Sequence, residues 1–243
     1  MKPQPIDSSW RDILRLLEVP NTPGLFVLGS FSERVTVYSQ QVRALNLVDA
    51  LCGMGYLRRS KRVAIIGAGF GGITAAAALA QIRVHVSLYE AEPAPMHLQL
   101  NSGTRFLHPH IYDWPLKNIE DIDANLPVLN WRADYAREVA KHIKESWDTI
   151  RNSTQVGLVE ERFSERVTSI QRRGRQWDIG VNGSRQTSAF DIVILAVGFG
   201  VESADAYSYP YWANIWIDDA QAHKRKWLIS GAGDGALTDV MRL

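Results

Sequence analysis

The stretch VAIIGAGFGGITAAAALA, residues 63–80, decides the fold of this 243-residue chain. Residues 63–66 form a short apolar run of the kind that makes a buried parallel strand. Four glycines follow within six positions, and residues 73–81 are rich in alanine, which favours a helix. The stretch has no charge and is long enough to imitate a membrane span. Its crowded glycines favour a strand, a tight turn and a helix instead.

A second apolar run at residues 84–89 ends in Glu90, so the order is strand, Gly-x-Gly-x-x-Gly, helix, strand, acid. This order predicts a dinucleotide-binding βαβ unit, because a helix N-terminus offers N–H groups and a positive dipole end to phosphates. Gly67 permits the tight turn, Gly69 lets the backbone approach a pyrophosphate, and Gly72 lets helix and strand pack closely. Glu90 suits the hydroxyls of an adenosine ribose and disfavours a 2′-phosphate. The expected contacts in this unit are Gly67, Ala68, Gly69, Phe70, Gly71, Gly72, Glu90 and Ala91.

The glycine turn by itself leaves two questions open. A glycine-rich helix start that binds nothing would account for the turn, but it leaves Glu90 unexplained. FAD and NAD both fit such a turn, so the rest of the chain has to distinguish between them.

The composition narrows the class of function. Hydrophobic residues make up 46% of the chain, and a formal net charge of +1 gives no sign of nucleic acid or an acidic membrane as partner. Cys52 is the only cysteine, which excludes an internal disulfide and a cysteine-rich zinc site. The N-terminus lacks the apolar segment of a signal peptide. We therefore expect a cytoplasmic protein with a small-molecule substrate and no membrane partner.

Further helices and strands are indicated after the glycine turn. An amphipathic pattern predicts a helix at residues 133–151, and residues 155–160 are a candidate strand. Residues 191–196, DIVILA, are again typical of a buried parallel strand. Alternating runs separated by glycine turns predict a three-stranded antiparallel meander at residues 166–171, 176–181 and 185–190.

This order of elements resembles the two-dinucleotide-binding-domain flavoproteins, the glutathione-reductase-like FAD fold. Those proteins carry a Gly-x-Gly-x-x-Gly with a distal Glu, a β-meander, a strand ending in Ala-Thr-Gly, and a later strand running into Gly-Asp. Here Ala196-Val197-Gly198 stands in place of Ala-Thr-Gly, and residues 229–234 end in Gly-Asp. The resemblance implies a Rossmann-like α/β domain at residues 61–243, with a parallel sheet and an antiparallel meander. A short helical and strand-containing extension at residues 1–60 precedes it.

The resemblance also implies FAD as the cofactor, with NAD as the alternative. The Gly-Asp aspartate of such proteins bonds the ribityl or pyrophosphate part of FAD, which implies that role for Asp234; the simpler role is a helix N-cap. Adenine is read through backbone near the first meander strand, where Val167 stands. Arg105 is expected at the pyrophosphate. The other implied contacts are Ala196, Val197, Gly198 and Gly233, with His108, His110, Tyr112 and Asp113 near the isoalloxazine ring.

The polar loop at residues 92–115, EPAPMHLQLNSGTRFLHPHIYDWP, supports more than one interpretation. His108, His110 and Tyr112 are the candidate catalytic residues, with a histidine as general base because it titrates near neutrality. The two histidines and Asp113 also offer metal donors, but their spacing is not that of a helical zinc pair, and we expect no metal. The simplest alternative is that these side chains hold loop backbone by hydrogen bonds.

The first sixty residues predict two helices and a short strand. An amphipathic helix is expected at residues 8–19, a strand-like run at 34–38, and a second helix at 39–51 with Ser39 as its N-cap. Residues 38–44, YSQQVRA, are unusually polar for the start of an apolar helix. They either approach the cofactor or substrate, or form a solvated helix start.

Three functions remain open from the sequence. The first is an FAD-dependent oxidoreductase that oxidises a small molecule by hydride transfer to flavin. The second is an NAD-binding dehydrogenase or sensing module, and the third is a nucleotide-binding regulatory protein without turnover. Flavoproteins of this type usually continue after Gly-Asp, so we expect the FAD-binding portion of a larger enzyme or a truncated product.

Overall fold

The computed structural model describes residues 8–29, 35–112, 120–153, 158–182, 184–198 and 211–214. Its centre is a five-stranded sheet in which all neighbouring strands are parallel. With strands numbered along the chain, the order across the sheet is β1 (Leu25–Val27), β10 (Ile192–Leu195), β2 (Arg62–Ile66), β3 (His85–Tyr89) and β6 (Val159–Arg162).

Helices cover one face of this sheet. Alternate residues of each strand point to opposite faces, which allows the two faces to be distinguished. Val63 and Ile65 of β2 belong to the large apolar core that the helices share. Most of the helices bury apolar residues in this core, and the short helix near Leu100 only packs against it, as expected for elements that cover a sheet. The helices are α1 (Ser8–Leu17), α2 (Val37–Gly53), α3 (Phe70–Gln81), the short α4 (His97–Leu100) and α5 (Ala136–Arg151).

The antiparallel meander covers the other face. Its strands are β7 (Val167–Arg173), β8 (Gln176–Val181) and β9 (Ser184–Phe190), paired in that order. Ala64 and Ile66, the alternate residues of β2, form a second buried cluster with side chains of the meander. A separate two-stranded pair joins β4 (Phe106–Leu107) to β5 (Asp134–Tyr135). The protein is therefore layered as helices, parallel sheet and meander.

This architecture confirms the predicted fold class. Residues 63–80 divide into β2, a turn and α3, and no helix in the described ranges is long and apolar enough to cross a membrane. Helix α3 begins at Phe70, three residues earlier than the alanine-rich run suggested, because Gly69 already serves as its N-cap. The division of the chain at residue 60 stays a prediction.

Two expectations for the N-terminal segment are wrong. Residues 34–38 were expected to form a strand, but Val37 and Tyr38 are the first residues of α2. Ser39 is not the N-cap; Thr36 is. The backbone N–H of Ser39 donates to Thr36 Oγ1 at 3.0 Å, and Thr36 N–H donates to Ser39 Oγ at 2.9 Å. This reciprocal capping box satisfies two backbone donors at once and outweighs the strand propensity of the β-branched residues before it.

Strand β1 is an element that the sequence did not reveal. Leu25, Phe26 and Val27 pair with Val193, Ile194 and Leu195 of β10. The chain then passes through α2 to β2, leaving β10 between β1 and β2. The carboxyl ends of β1, β10 and β2 consequently lie side by side at one edge of the sheet, where open α/β folds bind ligands.

Candidate dinucleotide-binding site

The glycine turn after β2 is held by the end of β10. Gly67 has a φ of +101°, a conformation that strains any residue with a side chain. A Cβ at this position would lie 2.5 Å from the carbonyl oxygen of Ala196. Ala196 in turn donates its N–H to the carbonyl of Ile66 at 2.8 Å. Only glycine fits at position 67, and Ala196 lies directly against the turn, while its contact with the cofactor stays a prediction.

Gly72 and Gly69 have different reasons for being glycine. A Cβ on Gly72 would lie 1.9 Å from the carbonyl oxygen of Gly67, so the helix could not begin where it does. A Cβ on Gly69 would meet nothing within 4 Å. Its φ of −69° is ordinary for any residue. Gly72 is therefore required by the fold, while Gly69 opens onto unfilled space beside the N-terminus of α3.

The other residues of the turn either support it or face the N-terminal segment. Ala68 and Phe70 are buried. A Cβ on Gly71 would lie 3.5 Å from the carbonyl oxygen of Gln40 in α2 and 3.6 Å from Leu28 Cδ1. Helix α2 and the end of β1 are thus in contact with the glycine turn.

Glu90 folds back onto the same turn from the end of β3. Its Oε2 accepts the N–H of Ala68 at 2.7 Å, and its Oε1 accepts the N–H of Glu92 at 3.0 Å. Ala91, which lies between Glu90 and Glu92 in the chain, is half-buried. A carboxylate has about four lone-pair directions, so both oxygens keep capacity for further donors. Glu90 therefore lies against the glycine turn, and its contact with a ribose stays a prediction.

The start of the meander lies next to Glu90. The carbonyl of Glu90 accepts the N–H of Glu165 at 2.9 Å. Two residues later, Val167 pairs with Val181 and packs on the buried cluster that contains Tyr89. The backbone just before Val167 thus lies beside the end of β3, and a contact of Val167 with adenine stays a prediction.

The segment after β10 turns away from the core. Val197 is 59% exposed, and Gly198 has a φ of +65° that suits glycine. These two residues follow Ala196 directly, so their exposed backbone lies beside the glycine turn. Gly233 and Asp234 fall outside the described residues, and their roles stay predictions.

Arg105 contacts a segment that the sequence did not connect with it. Its side chain is 4% exposed, and its Nε donates to the carbonyl of Tyr211 at 2.6 Å. The guanidinium carbon also lies 4.6 Å from the centre of the Tyr211 ring, a cation–π geometry. Gly103 and Asn101 hold Asn214 by hydrogen bonds of 2.6 and 2.8 Å. Residues 101–105 therefore form a clamp on residues 211–214, and a contact of Arg105 with a pyrophosphate stays a prediction.

The two loop histidines are close to each other and to α2. The backbone N–H of His110 donates to His108 Nδ1 at 3.1 Å, which places the proton of a neutral His108 on Nε2. His110 Nε2 lies 3.0 Å from the carbonyl oxygen of Asp123, and a carbonyl only accepts, so this nitrogen carries a proton. The Tyr38 and His110 rings are 5.5 Å apart.

The backbone carbonyl of Asp123 contacts His110, and the pKa of the Asp123 carboxyl group lies below its usual value. Hydrogen bonds from the Asn130 side chain and the Asn125 backbone N–H are the main causes, and the charges of Arg132 and His110 contribute less. Tyr112 is half-buried in the same loop. The catalytic roles of His108, His110 and Tyr112 stay predictions.

Within the described parts of the chain, no group of three His, Cys, Asp or Glu side chains is arranged to hold a metal. Asp113, the third donor considered for such a site, lies outside those parts.

The polar start of α2 is where the sequence was least informative. Gln41 is completely buried: its Nε2 donates to Thr74 Oγ1 and to the carbonyl of Leu129, each at 3.2 Å. Its Oε1 accepts the indole N–H of Trp131 at 2.7 Å. A solvated helix start is therefore wrong for this residue. The available signal was a glutamine, Gln41, close to apolar residues of a helix that packs in the core.

Solved structures with a similar arrangement include flavoproteins, all at low similarity. OTEMO in an FAD-bound form is 19% identical with a TM-score of 0.42, and the aligned region covers 57% of this chain and 25% of the OTEMO chain. The thioredoxin reductase of Lactococcus lactis is 19% identical with a TM-score of 0.40, covering 61% and 38%. That of T. acidophilum is 19% identical with a TM-score of 0.38, covering 57% and 35%. This chain thus spans well under half the length of these proteins.

Among curated proteins, none matches this chain. The family described as pyridine nucleotide-disulphide oxidoreductase matches residues 61–228, more than half of the sequence. The match begins just before β2 and includes the glycine turn, Glu90 and the meander. The chain belongs to the pyridine nucleotide-disulphide oxidoreductase family.

Proposed function

We propose that this chain binds FAD at the glycine turn and serves a flavin-dependent oxidation of a small-molecule substrate. The observation that carries the proposal is the contrast between Gly69 and Gly72. Gly72 is glycine because the fold has no room for a side chain, whereas Gly69 borders unfilled space. Unfilled space at the N-terminus of a helix, where N–H groups have no intrahelical acceptor, suits a pyrophosphate.

Glu90 supports the identity of the ligand as a dinucleotide. Its carboxylate bonds the N–H of Ala68 in the turn, so a ribose that it recognised would lie next to the phosphate position. A ribose with free hydroxyls donates to a carboxylate, while a 2′-phosphate would be repelled by it. FAD and NAD both have such a ribose, and both are compatible with this acid.

The family and the fold favour FAD as the ligand of this site. Members of the family are oxidoreductases by name, and the meander returns to the sheet edge beside Glu90, as in the FAD fold that the sequence resembles. FAD would supply the redox chemistry by accepting a hydride from the substrate. The residues of this chain would bind and orient it. His108, His110 and Tyr112 remain the candidates for substrate contact and proton transfer.

Proton transfer by His110 would depend on its anchored ring. A hydride leaving a C–H group next to a hydroxyl or an amine requires a base to take the remaining proton. The bond from His110 Nε2 to the Asp123 carbonyl fixes the ring orientation. His108, whose Nδ1 accepts the His110 N–H, is then better suited to donate a hydrogen bond through Nε2.

The first test is the visible spectrum of the purified chain and of its heat-released supernatant. We expect two flavin bands, with FAD identified by mass in the supernatant. Protein that is purified without flavin and does not bind added FAD would contradict the proposal. Calorimetric binding of NAD without a response to FAD would favour the NAD-binding alternative, and FAD binding without reduction by any donor would favour the regulatory one.

A further inference from the structure

The start of α2 and the end of β1 form a second wall of the glycine turn. The N–H of Leu28 donates to the carbonyl of Leu195 at 2.8 Å, so the chain leaves β1 at the edge where Ala196 leaves β10. Gln40 of α2 approaches Gly71 closely enough that an added Cβ would be 3.5 Å from its carbonyl oxygen. The N-terminal segment therefore reaches the carboxyl edge of the sheet at the position where the proposed ligand binds.

Two side chains of α2 hold the backbone at this wall. Arg43 donates through NH1 to the carbonyl of Gly29 at 2.5 Å, and Gln40 Nε2 donates to the same carbonyl at 3.3 Å. The two residues are three positions apart and so lie on one face of the helix. Long helical side chains point back toward the helix N-terminus, which is consistent with the guanidinium reaching Gly29, just after the end of β1.

The charge of Arg43 has no counterpart within the described part of the protein. Its side chain is half-buried, and no carboxylate in that part lies within ion-pair distance of it. A guanidinium has five N–H donors, and the bond to Gly29 uses one of them. Arginine is especially suited to phosphate oxygens, which it can bind through two parallel N–H bonds.

We propose that Arg43 binds the diphosphate of the dinucleotide from the side opposite the N-terminus of α3. This inference rests on the proposed function, because it names a further contact to the same ligand. Helix α3 offers uncharged backbone N–H groups, and Arg43 adds a full positive charge. The N-terminal sixty residues then complete the site that the glycine turn begins.

The test compares ligands with and without a diphosphate. FAD binding to the apoprotein is followed by quenching of flavin fluorescence, and ADP and adenosine binding by calorimetry. We expect R43Q to weaken FAD and ADP by roughly 10- to 100-fold, since charged hydrogen bonds are lost, and to leave adenosine unchanged. Arg11, exposed on α1, offers the matched control R11Q, which should change none of the three affinities.

A second variant separates binding from folding. R43K keeps the charge and a donor for the Gly29 carbonyl but loses the planar fork, so we expect a smaller loss for FAD and ADP with the unfolding temperature preserved. If R43Q fails to fold, R43K carries the comparison.

Different results would overturn this inference and the proposed function. Equal weakening of FAD, ADP and adenosine would mean that Arg43 only supports the backbone, and unchanged affinities would exclude it from the site. In either case, FAD binding by the wild type leaves the proposed function standing. A wild-type chain that binds neither FAD nor ADP overturns both.

Discussion

Replacing Gly72 by alanine should destabilise the fold, because the new methyl carbon would lie 1.9 Å from the carbonyl oxygen of Gly67. Ala196 Cβ would also be only 3.2 Å away, so the methyl carbon would be crowded by a second neighbour as well. Overpacking commonly costs about 1–3 kcal/mol, and a backbone obstacle places this site at the upper end. Alanine recovers about 1 kcal/mol of helix propensity, so we expect a net loss of about 2 kcal/mol. This corresponds to a fall in Tm of roughly 4–8 °C.

Gly69 provides the matched control for this prediction. G69A adds the same methyl group at the N-cap of α3, directly before its first residue, but nothing lies within 4 Å of this position. We expect a cost below about 1 kcal/mol, from the weaker preference for alanine at an N-cap. Both variants are compared with the wild type by thermal unfolding, in apoprotein so that ligand does not contribute. Equal destabilisation by the two substitutions would refute this account of the turn.

In FAD binding we expect G69A to have the larger effect. It should fold but lose FAD affinity by more than about tenfold, because its methyl group enters the space left for the pyrophosphate. E90Q, which keeps the shape but loses the charge, should weaken FAD about tenfold in a fluorescence titration, while E138Q on the exposed face of α5 should have no effect. D191N should lower stability by about 1 kcal/mol at neutral pH. Burial tends to raise the pKa of Asp191, but bonds from the Arg62 backbone N–H and the Lys61 side chain outweigh this and lower it below 3.8. A carboxyl group whose folded-state pKa is lowered stabilises the protein fully above its ordinary pKa, and this stability is lost as the pH falls through the lowered value. In urea unfolding, the difference between D191N and wild type should therefore shrink below about pH 4 and vanish only when the pH is below the folded-state pKa of Asp191. Q41L should cost about 2 kcal/mol, since it leaves the buried indole N–H without its acceptor, and denaturant unfolding would show no change if that bond were unimportant.

The βαβ unit could be predicted from sequence because its signals are local. Gly67, Gly69 and Gly72 lie within six positions, and the strands on either side are uninterrupted apolar runs. The fold requires glycine at positions 67 and 72 for the steric reasons that the spacing suggested, while the role of Gly69 stays a prediction. The meander was also recognisable, since its three strands alternate and are separated by short turns.

The position of β1 could not be predicted, because a three-residue strand has almost no pattern of its own. Phe26 pairs with Ile194, a partner 168 positions later in the chain. Such a pairing depends on the whole sheet being in place. The contact between Arg105 and Tyr211 has the same character, since neither neighbourhood indicates the other.

The start of α2 was misinterpreted for a different reason. Thr36 and Ser39 are both good N-caps, and the β-branched residues before them favour a strand, so local rules pointed in conflicting directions. The capping box resolved the conflict by using both side chains. Gln41 and Arg43 then have polar side chains on a packed helix for reasons that only the tertiary structure supplies.

Helix α2 connects the stability of this protein to its proposed ligand. Leu47 and Leu51 are completely buried in the same core as Ile73 of α3, which fixes how α2 lies against the helix that follows the turn. Because Arg43 is on this helix, the packing that holds the core also sets the distance between the guanidinium and the N-terminus of α3. An anion bound between them would bridge the two helices, and ligand at a hundred times its Kd would add about 2.7 kcal/mol to stability. The unfolding temperature should then rise with FAD in the wild type and rise less in R43Q, and an equal rise in the two proteins would argue against a bridging charge.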